Sequence, residues 1–129
     1  MSKPAFIFRD EHEFTWPVTV RYPGDGKIIE AEFEGRFVTL PEDELVNSAI
    51  QPDPDETPQQ TFARMIEADR EKCLKVLRGW NGVSTEDGAE LPFSDENAER
   101  LLSNRHVRVA IGRAYSEAML DREDTRTGN

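Results

Sequence analysis

Three side chains in this 129-residue chain could bind a soft or borderline metal: Cys73, His12 and His106. A zinc site needs three or four such ligands, usually in short pairs such as C-x-x-C or two nearby histidines. One cysteine and two distant histidines do not supply that set. Cys73 falls on the apolar face of a helix and reads as core packing. His12, in a polar segment, and His106, near a helix start, read as solvated. Asp53-x-Asp55 opens like a calcium loop, but Pro58 stands where an EF-hand needs glycine and Arg64 where it needs glutamate. Gly24-x-Gly26 lacks the third glycine and the following helix of a dinucleotide fingerprint, and a hairpin turn accounts for it. Carboxylates do acid–base work when burial or a neighbour splits their pKa values. Glu30, Glu32 and Glu34 instead alternate along a strand, as a solvated face does. No P-loop, nucleophile elbow or zinc-protease pattern occurs. The expectation is no catalytic residue, no metal, no cofactor and no enzyme.

The elements carrying these residues fall into zones. Phe14, Trp16, Val18, Val20 and Tyr22 alternate with Thr15, Pro17, Thr19 and Arg21, the period of a half-buried strand. Pro17 cannot donate a ladder hydrogen bond, so this strand belongs at an edge or carries a bulge. Pro23-Gly24-Asp25-Gly26 supplies turn chemistry. Ile29, Ala31, Phe33, Gly35 and Phe37 then alternate with polar residues, so 14–22 and 27–39 predict a hairpin. Residues 6–9 can add a short third strand.

Residues 41–57 hold six acids and no base. Pro52 and Pro54 break any helix there, so most of 50–57 reads as an exposed linker, with a short helical turn expected around 42–49. Thr57-Pro58-Gln59-Gln60 forms a capping-box helix start. Phe62, Met65, Ile66, Cys73, Val76, Leu77 and Trp80 follow at helical spacing. That helix should stop near Gly79 or Gly82, with Trp80 buried. Asp69 interrupts the stripe, and nothing local accounts for it. Ser94 caps a short helix anchored by Leu101 and Leu102. Asn104 caps a last helix whose face is Val107, Ala110, Ile111, Ala114, Tyr115, Ala118 and Met119. Residues 121–129 read as a disordered tail.

The predicted fold is thus α+β: an N-terminal antiparallel hairpin or small sheet packed against a C-terminal helical half. Residues 1–129 form a single domain, with a β-rich part at 5–40, the acidic linker at 41–57 and a helical part at 58–120. A domain of this length should bury roughly two-thirds of the surface its unfolded chain exposes. The net charge of −10 disfavours nucleic acid and anionic membranes. No apolar run approaches the roughly 20 residues of a membrane helix. Asp10 and Glu11 close the short apolar patch Ala5 to Phe8, against a signal peptide. With one cysteine, the expected setting is a reducing cytoplasm. Residues 58–80 carry five bases against three acids and residues 101–120 three against one, so the acidic excess lies elsewhere.

Several segments together resemble a known family. Val76-Leu77-Arg78-Gly79-Trp80-Asn81-Gly82-Val83 precedes an acidic turn, Glu86-Asp87-Gly88. Leu91-Pro92-Phe93-Ser94, a helix with Leu101-Leu102, and a last helix reaching Ala114-Tyr115 follow. The first half adds Pro17-Val18-Thr19-Val20, Pro23-Gly24-Asp25-Gly26 and Phe37-x-x-Leu40-Pro41. In order and spacing, over most of residues 5–120, the chain resembles the small tail assembly chaperones of long-tailed bacteriophages and prophages.

The resemblance implies a non-enzymatic protein that binds the tape measure protein, keeps it soluble and helps recruit tail tube (major tail) subunits. It implies action in the bacterial host cytoplasm and absence from the mature virion. In this family a frameshifted longer form often contacts the tube protein, and this chain would be the shorter product. Two readings compete with it: a structural tail completion or neck component, and a small enzyme with a carboxylate site that carries no recognised motif. The expected contact surface is the less buried side of the helices at 58–80 and 104–120. Oligomeric state is left open.

Overall fold

The computed structural model describes residues 3–41 and 53–120. The turn expected at 42–49, part of the linker and the tail at 121–129 lie outside these residues. In chain order the elements are β1 (His12–Pro23), β2 (Ile28–Thr39), α1 (Pro58–Val76), β3 (Leu77–Asn81), α2 (Asp95–Leu102) and α3 (Arg105–Met119). The strands form one antiparallel sheet in the order β1-β2-β3.

β1 and β2 pair along their whole length, from His12 opposite Thr39 to Pro23 opposite Ile28. The turn closes through a 2.7 Å bond from the Gly24 amide to the Lys27 carbonyl, and Gly26 adopts φ +74°, where a side chain would be strained. Pro17 sits on the edge strand, where its missing donor costs no internal pairing. Val18, Val20, Phe33 and Phe37 turn inward and are buried, while Glu30, Glu32 and Glu34 are exposed on the outer face.

The expected division into a hairpin and a wholly helical second half is corrected by β3. Residues 6–9 form no strand; the third strand comes from Leu77–Asn81, inside the half expected to be helical. α1 stops at Val76 rather than at Gly79 or Gly82, because Leu77 turns to extended geometry with φ −93° and ψ 122°. β3 then fills the open edge of β2. Phe37 opposes Leu77 while Arg36 opposes Gly79, so Arg78 is an extra residue in β3. Such a bulge lets Leu77 and Trp80, three positions apart, both face inward. Their helix-like spacing arises from a bulged strand.

The core lies between the inner face of the sheet and the helices. Leu102 and Ile111 are fully buried, and Ala98, Ala110 and Ala114 allow close helix approach. α3 packs chiefly on β1. Phe14, Phe37 and Tyr115 join β1, β2 and α3 with ring centroids 5.6–6.3 Å apart, a spacing typical of favourable aromatic pairs. Trp80 is 8% exposed, stacks on Phe93 at 4.9 Å and donates its indole N–H to the Leu91 carbonyl at 2.8 Å. Tethering by Trp80 holds the loop that leads to α2, whose cap, Ser94, accepts the Asn97 amide at 3.0 Å.

Candidate functional site

The residues considered for metal chemistry sit in unrelated places. His12 opens β1, exposed, with its ring stacked near Phe14. His106 lies in the first turn of α3, where its amide donates to the Asn104 cap at 2.9 Å. Cys73 is 3% exposed, with its thiol 3.9 Å from the Arg108 carbonyl. Burial, reinforced by the nearby Asp69 charge, pushes the thiol up to about 12. Such a thiol stays protonated and is a poor nucleophile or ligand at neutral pH. Among the described residues no three His, Cys, Asp or Glu groups converge to hold a metal. No helix there is long and apolar enough to cross a membrane.

Asp69, unexplained by its local sequence, has a partner 39 positions away. Its Oδ2 accepts from Arg108 Nε at 3.2 Å, and Arg108 Nη1 donates to the Leu102 carbonyl at 3.0 Å. Arg108 is almost wholly buried. The guanidinium is buried while the Asp69 carboxylate stays about half exposed, so the Leu102 carbonyl is the acceptor that meets the buried end of Arg108. The contact ties α1 to α3 and to the end of α2, and reads as structural.

The surface that stands out is the first half of α1. Phe62 is 65% and Met65 48% exposed, and Ile66 beside them is half-buried. The expected core stripe is therefore buried only from Cys73 onward. Yet this exposed end is firmly built. Thr57 accepts the Gln60 amide at 3.2 Å, and the Gln60 side chain accepts the Thr57 amide at 2.9 Å, completing the capping box. Arg64 grips Glu56 through Nε at 2.9 Å and Nη2 at 2.8 Å, and the Thr61 hydroxyl donates to the same carboxylate at 3.0 Å. The Arg64 bonds hold the Glu56 carboxyl below the usual carboxylate range. Polar fasteners thus order a turn whose large apolar side chains face solvent. The helical spacing of Phe62 and Met65 was visible in the sequence; their exposure was not.

On α3 the expected face is buried at Ala110, Ile111, Ala114 and Tyr115 and half-buried at Val107 and Ala118, with only Met119 exposed; Val109, off that face, is exposed too. The less buried sides of α1 and α3 therefore each present apolar side chains.

No curated protein and no solved structure matches the chain. Residues 58–126 match the model of a family described as YdaY prophage protein. The match starts at the first residue of α1 and takes in β3, α2 and α3, leaving the hairpin outside. Since that segment spans more than half of the chain, the protein that carries the exposed Phe62 and Met65 on an ordered helix turn belongs to the YdaY prophage protein family.

Proposed function

We propose that this prophage protein is a non-enzymatic tail assembly chaperone that binds the tape measure protein, keeps it soluble and helps recruit tail tube subunits. The supporting observation is the ordered α1 turn with Phe62 and Met65 in solvent, together with prophage membership. A holdase must offer apolar surface to an apolar helical client without losing its own fold. A helix laid against such a surface is a recurring recognition mode. Because the capping box and the Glu56–Arg64 pair already order the turn, docking loses little further conformational freedom. The proposed setting is the bacterial host cytoplasm, with release before the tail matures.

Co-expression tests the reading. A tape measure protein from the same prophage should be insoluble alone and soluble with this chain, and the two should copurify. Mainly apolar contact should give a negative heat-capacity change on binding and an affinity that survives moderate salt. A client that stays insoluble overturns the reading. So does finding this chain at fixed copy number in mature particles, which would identify a tail completion or neck component.

A further inference from the structure

A second surface on α3 differs in chemistry from the apolar end of α1. A cleft of 340 Å³ runs between β1 and the first half of α3, lined by Arg21, Ile28, Arg105, His106, Val109 and Arg113 among others. Arg105, Val109 and Arg113 stand four positions apart along one helix face. At 1.5 Å per residue the two arginines are separated by about 12 Å along the axis. Arg21 is paired with Glu30 at 3.6 Å. Arg105 and Arg113 have no ion pair among the described residues, although the chain carries 26 acids against 16 bases. Six other described arginines find carboxylates, among them Arg36 with Glu13, Arg64 with Glu56, Arg78 with Glu11 and Arg108 with Asp69; Arg9 and Arg100 also lack an ion pair among the described residues, but neither lines this cleft. Ile28 and Val109, both exposed, give the cleft an apolar centre between its charges.

We propose that this cleft docks an acidic segment of a partner protein, with Arg105 and Arg113 each holding a carboxylate and an aliphatic side chain of the partner seated on Val109 and Ile28. Guanidinium groups suit carboxylates because their paired N–H donors match both oxygens. A polypeptide is the occupant because the cleft joins charge to apolar surface. A phosphate backbone would bring a long run of negative charge to a chain of net charge −10. The cleft lies on the exposed side of α3, but its test needs no tape measure protein, so it stands or falls apart from the chaperone reading.

The test uses the full chain and a synthetic helical peptide repeating Glu-Ala-Ala-Ala-Leu-Ala-Ala-Ala-Glu, titrated by amide NMR and calorimetry. The expected result is shifts centred on Arg105, Val109 and Arg113, with affinity falling as salt rises. The peptide with Gln in place of Glu should bind more weakly. Arg105→Glu with Arg113→Glu should lower affinity by roughly tenfold or more, and Lys72→Glu on α1 should leave it unchanged. If the charge reversal disturbs folding, Arg105→Gln with Arg113→Gln gives the same reading at unchanged melting temperature. Equal binding of the Glu and Gln peptides overturns the proposal, as do shifts elsewhere or an undiminished double variant. Tighter binding of oligothymidylate would make the cleft a nucleic-acid surface instead. Concentration-dependent shifts of the same residues without peptide would make the occupant a second copy.

Discussion

Phe62 and Met65 at one end of α1, and Cys73 and Val76 at the other, lie on one apolar stripe of one helix. The second pair is sealed beneath β3 and α3, while the first faces water. The two ends are also held differently. The far end is fixed by burial against the sheet and the other helices, which stabilises through apolar area removed from water. The near end is fixed by hydrogen bonds and an ion pair that touch no core residue: Thr57 with Gln60, and Arg64 with Glu56. Helical periodicity establishes that a helix has an apolar face. It does not establish that the same chain covers it. Here polar contacts order a turn whose apolar side chains are exposed, so order and burial come from different sources at the two ends.

Substitutions along α1 and into β3 can break this contrast. Trp80→Ala, just beyond the buried end, should cost the most, on the order of 3–5 kcal/mol for a large aromatic removed from a core. Chemical denaturation followed through Trp16 fluorescence would measure it, and a cost near that of a surface change would place Trp80 outside the core. Val76→Ala should come next, at about 2 kcal/mol, from ~0.8 kcal/mol per buried CH₂ plus the cavity left behind. The same denaturation midpoints would show it, and a cost equal to that of Met65→Ala would erase the difference between the two ends. Thr57→Ala removes the cap and should cost ~1 kcal/mol. Hydrogen exchange should show the loss concentrated at the first turn of α1, with the Cys73–Val76 end still protected; uniform loss would mean the ends are not held separately.

Phe62→Ala and Met65→Ala should have the smallest effect on stability, within about 0.5 kcal/mol each, as for bland surface sites. Their effect should appear instead in co-expression, as less tape measure protein recovered in the soluble fraction. A large stability loss would return both residues to the core, and full retention of client solubility would move the client site elsewhere.

Several features were legible from local sequence because their causes are local. The strict alternation of Phe14 to Tyr22 and the Pro-Gly-Asp-Gly turn specify the hairpin, since side chains two apart share a strand face. Thr57, Pro58 and Gln60 mark the start of α1, and Ser94 and Asn104 cap α2 and α3 as their types suggest. The burial of Trp80 was expected, although from the end of a helical stripe rather than from a strand. β3 escaped notice because the bulge at Arg78 places Leu77 and Trp80 three residues apart, a spacing a helix also produces.

Composition and local pattern by themselves determined that this acidic chain carries an N-terminal hairpin followed by amphipathic helices. Tertiary structure alone decided which apolar residues are covered. It converted Leu77–Asn81 from the end of a helix into the third strand, because β2 had an open edge to fill. It brought Asp69 to Arg108 across 39 positions, and it set Arg105 and Arg113 beside Arg21 from a distant strand. Each of these depends on contacts between residues far apart in the chain, and a pattern that repeats every two or four residues carries no information about such pairings.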